Sequence, residues 1–346
     1  MVSRNRRSRK KRNSGAARVL LEALLLALLV AGLTAWVVLV PSGPQSETFV
    51  ELAPGSSSAQ IGRQLEEAGV VRSRFAFDLM RLWKRGTLRA GEYRFDHPAP
   101  LAEVYARIAR GDVYTRSVTV PEGANIFDIA ARLEQAGLGA RQDFLDAATQ
   151  QVGLIADLDP TARTLEGYLF PDTYRFPRKA TSAQMAAAMV RRFRVVAAKL
   201  GLKQNVHRVV TMASLVERET AVDAERPLVA SVFQNRLDKN MPLMTDPAVI
   251  YGMELEGRWQ GEIHQDDLSS NTPYNTYLHT GLPPGPVANP GVKSLRAAMQ
   301  PAASDYLYFV AAGANPQGRS LFARTLDEHN HNVAGYRHAV KKAGGR

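Results

Sequence analysis

Val209-Val210-Thr211-Met212-Ala213-Ser214-Leu215-Val216-Glu217-Arg218-Glu219-Thr220 carries apolar residues at 209, 212, 213 and 216, the spacing of one helical face, and that face runs on to position 219. The stretch predicts a helix whose buried stripe ends in a carboxylate. Glu217, two residues earlier, is rotated by about 200° on a helix of about 3.6 residues per turn, so only one of the two acids is expected to look inward. A carboxyl set against apolar surroundings has its charged form disfavoured and holds its proton closer to neutral pH, the state a general acid needs. Glu219 is therefore the candidate proton donor. Periodicity leaves a second reading open, in which Glu219 caps the helix or pairs with Arg218 or Arg226 for structural reasons.

The N-terminus restricts where such a helix works. The first eighteen residues hold Arg4, Arg6, Arg7, Arg9, Lys10, Lys11, Arg12 and Arg18 and no acid, and residues 19–40 are apolar apart from Glu22 and Thr34. About 22 helical residues rise about 33 Å, enough for a hydrocarbon core of about 30 Å, and the preceding basic cluster predicts a cytoplasmic tail. A cleaved signal peptide fits less well: its apolar core is usually about 7 to 15 residues, and Pro41-Ser42-Gly43-Pro44 offers no small-x-small cleavage site. The expected organisation begins with a basic cytoplasmic tail (1–18), a single retained membrane helix (19–40) and a short tether (41–47). Everything after it is expected outside the cytoplasm.

Of the 44 basic residues, eight lie in that tail, and the remaining 36 nearly balance 33 acids, so the formal charge of +11 does not argue for a nucleic-acid partner. The tail is explained by orientation and by attraction to membrane lipid. Cysteine is absent, which excludes disulfides, thiolate metal sites and a cysteine nucleophile.

Along the rest of the chain a partial repeat stands out. Pro54-Gly55, Ile61 and Leu65-Glu66-Glu67-Ala68-Gly69-Val70 are echoed 68 residues later by Gly123, Ile129 and Leu133-Glu134-Gln135-Ala136-Gly137-Leu138. Each copy follows a β-like segment (49–52; 117–120) and reads as strand, turn and short helix ended by glycine. Between the copies, 88–95 alternates as a strand and 100–110 reads as a helix. Downstream, 181–200 is a helix capped by Thr181 or Ser182, Pro227 opens a helix over 228–237, and 240–291 is dominated by turn residues. A turn-rich segment of that length is usually functional. Its amides, hydroxyls and aromatic rings suit a sugar, which offers hydroxyls to hydrogen-bond and C–H faces to stack. The expected fold class is α+β.

Several long motifs occur together and in order: Leu165-Glu166-Gly167-Tyr168-Leu169-Phe170-Pro171-Asp172-Thr173-Tyr174, then Met212 to Thr220, Val229-Ala230-Ser231-Val232-Phe233-Gln234-Asn235-Arg236-Leu237, Thr245-Asp246-Pro247, Asn271-Thr272-Pro273-Tyr274-Asn275-Thr276-Tyr277 and Gly281-Leu282-Pro283-Pro284-Gly285. Together they closely resemble the endolytic murein transglycosylases of the MltG/YceG-like family, over about residues 48–336. The resemblance implies a small LysM-like α+β module (48–140), then a mixed α+β catalytic domain (141–340) with a helix-borne glutamate, which falls on Glu219. It also implies a bacterial plasma-membrane enzyme, its catalytic domain periplasmic or otherwise extracytoplasmic, acting on nascent peptidoglycan strands beside peptidoglycan synthases. Glu166, Asp246, Asn271, Tyr274, Asn275 and Tyr277, in motifs shared with the family, are candidates for positioning substrate; Glu166 and Asp246 read equally as structural, Asp246 as a helix cap before Pro247. Arg236 and Gln234 are alternatives for holding the helices together.

Most glycosidases need two carboxylates. The family chemistry needs one, which protonates the oxygen between N-acetylmuramic acid and N-acetylglucosamine and then takes the proton of the muramoyl 6-hydroxyl as a 1,6-anhydro ring closes. No metal or cofactor is expected: there is no HExxH, and His329-Asn330-His331 is the only close histidine pair. A serine elbow is also missing. The remaining rival is a noncatalytic, membrane-tethered glycan-binding scaffold, which would not need an acid at 219.

Overall fold

The computed structural model describes residues 5–315 and 318–344, with the side chains of 5–16 and 343–344 excluded. The cationic side chains of the expected cytoplasmic tail thus fall mostly outside the described residues. Two compact units divide between Thr115 and Arg116.

The first unit begins with helix α1 (Asn5–Leu39), whose window Ala17–Leu39 is long and apolar enough to cross a membrane. β1 (Thr48–Leu52), α2 (Ser58–Glu67), α3 (Arg74–Lys84), β2 (Gly91–Phe95) and α4 (Leu101–Arg110) follow. β1 and β2 pair antiparallel from Thr48↔Phe95 to Leu52↔Gly91, and a core of Leu52, Leu65, Phe77, Tyr93 and Ile108 fills the space under the helices. Local chemistry sets the helix ends. Ser57 and Gln60 form a reciprocal capping box at the start of α2, satisfying two backbone donors that the helix leaves open. Gly111, at φ 75°, ends α4 in a conformation that suits glycine. Arg72 closes the other end of the story for α1: its guanidinium lies 4.2 Å from the Trp36 ring centroid and donates to the carbonyls of Trp36, Val40 and Pro41 at 3.4, 3.3 and 3.0 Å. These are carbonyls at the helix end, where a cation is favoured.

The second unit runs β3 (Arg116–Thr119), α5 (Ile126–Gln135), α6 (Arg141–Gln150), β4 (Thr173–Phe176), α7 (Ser182–Leu200), α8 (Val206–Glu219), α9 (Arg226–Asp238), α10 (Asp246–Leu255), α11 (Val292–Met299), β5 (Tyr308–Ala311), β6 (Ser320–Ala323) and α12 (Leu326–Gly344). β3 pairs with β4, and β5 with β6, both antiparallel. The expected α+β class and the N-terminal apolar helix are thus both present. The second copy of the repeat, β3 and α5, has the same capping box, here from Asn125 and Asp128. This second copy falls in the second compact unit, where β3 pairs with 173–176 and α5 packs on α6.

α8 is the centre of this unit. Val206, Val210 and Ala213 face one core, shared with Tyr168, Phe193 and Leu295, while Met212, Leu215 and Val216 face another, shared with Phe233, Leu243 and Tyr251. A helix with cores on two sides is apolar nearly all round, so its buried surface is wider than the single stripe read from the sequence. The segment 240–291 is also less irregular than its turn residues imply, since it contains the ten-residue helix α10.

Candidate active site

Glu219 is the last residue of α8; Thr220 then turns extended at φ −139°. Its side chain is half-buried, and it makes no hydrogen bond or ion pair among the described residues. Burial is the largest cause raising its pKa, to about 7, with the like charge of Asp246 adding to it and Arg236 and Arg218 opposing. Arg236 cannot swing in to neutralise it freely. Its guanidinium donates to the carbonyls of Leu307 (2.7 Å), Leu243 (2.9 Å) and Pro242 (3.2 Å) and lies 5.1 Å from the Tyr308 ring centroid, making it a fixed positive charge near the acid.

Two of the positioning candidates join this neighbourhood. Asp246 is exposed and accepts a 2.6 Å hydrogen bond from the Tyr277 hydroxyl, and Glu219 is among the charges acting on Tyr277. Asp246 is not the cap that the Asp-Pro pair suggested. Thr245 occupies the cap position and Asp246 the first helical one, which leaves the carboxylate to Tyr277. Asn275, fully buried, builds the turn behind them: its amide nitrogen donates to the Leu268 and Ser270 carbonyls at 2.9 and 2.8 Å, and its oxygen accepts from the Tyr277 N–H at 2.9 Å. Thr276 ties the same turn to α10 by accepting from the Thr245 N–H at 2.9 Å.

The remaining candidates are Glu166, Tyr274 and Asn271. Glu166 is 1% exposed and accepts from the Ile126 N–H (2.9 Å), the Gly167 N–H (3.3 Å) and the Asn289 amide (2.8 Å). It joins three chain segments, and its carboxyl has no surface to offer a ligand. Burial raises its pKa to about 8 against those donors. Tyr274 packs edge-on to Tyr251 with centroids 5.1 Å apart and lines a pocket of about 240 Å³ with Arg163, His207 and Pro284. Glu219 is not among the residues lining that pocket. Asn271 is exposed.

Glu217 corrects the expectation that it turns away from the interior. Its side chain is 5% exposed and pairs with Arg226, itself 7% exposed, at 2.7 Å. The other carboxylate oxygen accepts from the Gly291 N–H at 2.9 Å, and Arg226 also donates to Ser294 Oγ at 2.5 Å. Arg226 therefore serves Glu217, and the alternative pairing of Glu219 with Arg226 does not occur. Sequence reading also missed Glu254, which accepts from Asn125 at 2.5 Å and whose pKa burial lifts to about 7; its helix, α10, was hidden by Pro247 and Gly252. Ser214 is fully buried, donating to the Thr211 carbonyl at 2.7 Å and accepting from the Val287 N–H at 3.0 Å, so it is unavailable as a nucleophile. Among the described residues no group of three His, Asp or Glu side chains could hold a metal ion.

The described residues thus form an α+β protein with an N-terminal apolar helix and, at the end of α8, a half-buried carboxyl that has no hydrogen-bond or ion-pair partner among them. Residues 50–335 match the model of the YceG-like family, and the chain belongs to that family. It is 36% identical over 315 residues to the endolytic murein transglycosylase of Bacillus subtilis (strain 168), covering 84% of this chain and 86% of the relative. The endolytic murein transglycosylase of Streptococcus pneumoniae (strain ATCC BAA-255 / R6) is 30% identical over 338 residues, covering 86% of this chain but only 60% of that longer relative. A crystal structure of a yceG-like protein from Listeria monocytogenes superposes with a TM-score of 0.57 at 32% identity, covering 83% of this chain and 99% of the other.

Proposed function

We propose that this chain is a membrane-anchored endolytic lytic transglycosylase of peptidoglycan, with Glu219 as its one proton-transferring group. The observation that carries the assignment to Glu219 is its combination of partial exposure, no pairing partner among the described residues and a pKa raised to about 7 by burial. A carboxyl paired as tightly as Glu217 has no free lone pair or proton to give, and one as enclosed as Glu166 cannot be reached. Protonated Glu219 donates to the oxygen linking N-acetylmuramic acid to N-acetylglucosamine, and that C–O bond breaks. The carboxylate so formed takes the proton from the muramoyl 6-hydroxyl, whose oxygen closes on the anomeric carbon. The products are a 1,6-anhydro end and a free 4-hydroxyl, no water is consumed, and the acid is returned protonated. Holding the 6-hydroxyl against the anomeric carbon replaces an external nucleophile by effective molarity.

Asp246 and Tyr277 tune and frame the acid in this reading, and Asn275 positions Tyr277 from behind. The strand, helix, helix, strand order of β1, α2, α3 and β2 supports a LysM-like module within residues 48–140. α1 serves as a single membrane span with a cytoplasmic N-terminus, holding the enzyme on the outer side beside the synthases whose strands it cuts. The test is to incubate the full chain in mild detergent with peptidoglycan and to analyse new strand ends by mass spectrometry. Anhydromuramoyl ends are expected. Reducing ends would indicate hydrolysis, and no new ends would favour the noncatalytic scaffold.

The pH profile gives a second test. Because the acid must be protonated to start the reaction, kcat/KM should fall as pH rises through the pKa of Glu219 in the free enzyme, near 7. Asp246→Asn removes a like charge that raises that pKa, so the falling limb should move to lower pH. A limb that stays put or moves upward would assign it to another group.

A further inference from the structure

α3 presents two apolar faces, and the fold of its unit uses only one. Phe77 and Met80 point into the core. Phe75, Leu79, Leu82 and Trp83, at helical spacing on another side, are between 61% and 75% exposed. Residues 74–85 hold Arg74, Arg81, Lys84 and Arg85 against the single acid Asp78; Arg74 pairs with Glu66 and Arg81 donates to Ser58 and the Gly86 carbonyl, which leaves exposed Lys84 and Arg85 as the cations at the end of the stripe. The Lys84 ammonium lies 4.7 Å from the Trp83 ring centroid. An exposed apolar stripe of this kind marks an interaction surface.

Its position says which one. A groove of about 550 Å³ runs between α3 and the end of α1, with Leu33 and Val37 on one wall and Phe75, Leu79 and Trp83 on the other. The stripe is thus continuous with apolar side chains of the span itself. Arg72, immediately before α3, is hydrogen-bonded to the carbonyls that end α1, so the two helices are tied at that point. Leu33 lies six residues before Leu39, about 9 Å along the helix axis, and interfacial helices bury their apolar faces to about 5–10 Å. Exposed Trp36 of α1 and Trp83 of α3 are of the residue type that prefers the headgroup level, and the cationic rim suits lipid phosphates.

We propose that α3 is an interfacial membrane helix, whose Phe75, Leu79, Leu82 and Trp83 enter the same bilayer that α1 spans, so that the first unit is seated on the lipid surface instead of hanging from a free tether. The inference rests on α1 being a membrane span. It requires that a label on the outer stripe of α3 meet lipid and not water.

The chain has no cysteine, so single cysteines can be introduced without background. Leu79→Cys, Trp83→Cys and, as a reference inside the span, Leu28→Cys would each be made in the full chain, spin-labelled and reconstituted into bilayers of phosphatidylethanolamine and phosphatidylglycerol. Collision with oxygen, which partitions into lipid, is compared with collision with a water-soluble nickel chelate. Oxygen should dominate at all three sites, and the nickel collision rate at 79 and 83 should rise when the same proteins are unfolded in denaturant. Labels at 79 and 83 that favour nickel, with 28 still favouring oxygen, would overturn the docking of α3 while leaving the anchor in place. A label at 28 that favours nickel would remove the anchor reading and the proposal with it. Shielding from both reagents at 79 and 83 would show that protein covers the stripe and would also overturn it.

Discussion

Glu219→Gln is expected to leave a folded chain that forms anhydromuramoyl ends at least about a thousandfold more slowly. A positioned acid or base contributes about 10²–10⁴ in rate, and here one side chain performs both transfers, so its amide isostere loses both. The measurement is release of anhydro-ended fragments from peptidoglycan, together with thermal unfolding of the same sample. A variant retaining more than a tenth of the rate would require another donor. Stability should move the other way. The folded pKa of Glu219, about 7, exceeds its ordinary value of 4.5, so between those pH values the folded chain binds more protons than the unfolded one. Stability from this group is full below about pH 4.5 and is lost as pH rises through about 7. Gln does not titrate, so the variant should gain on the native chain across that window and hold the gain above it. Glu166 and Glu254, raised to about 8 and about 7, carry the same sign in both proteins.

The pair two residues away should behave in the opposite manner. Arg226→Leu leaves the Glu217 carboxylate enclosed, with the Gly291 N–H as its one remaining partner among the described residues, and breaking a buried ion pair in this way costs about 3–5 kcal/mol. The midpoint of urea unfolding should drop accordingly, whereas the rate per folded molecule, measured at low temperature, should stay near that of the native chain. Replacing both partners, as in Arg226→Leu with Glu217→Leu, should recover much of the loss, because two apolar groups leave no uncompensated charge. If the double variant is no more stable than Arg226→Leu alone, the pair is not the source of the effect. The two glutamates of one motif are thus separable, one by rate and the other by stability.

This division was only half legible in the sequence. Local signals carried well: Thr181 caps α7 with Gln184, Pro227 sits in the first turn of α9, and both copies of the repeat form a strand and a helix with the expected glycine after it. Spacing picked out Glu219, which the structure leaves half-buried, but it placed Glu217 outside, whereas the structure encloses it. What failed depended on partners distant in sequence. Periodicity assumes one buried side, and α8 has two, so Glu217 found an interior of its own once Arg226 was there to neutralise it. Helix α10 was masked because Pro247 and Gly252 read as turn residues, although proline fits the first turn of a helix. The sequence leaves Glu166 open between positioning substrate and a structural role, because the donors that enclose it come from residues 126, 167 and 289, and only folding brings the first and last of these to it.

The repeated strand and helix also bear on how such a chain can be assembled from parts. Each copy keeps the strand it pairs with inside its own unit, β1 with β2 and β3 with β4. A break between Thr115 and Arg116 therefore deprives neither ladder of a strand. At the level of backbone pairing, each portion carries its own ladder complete.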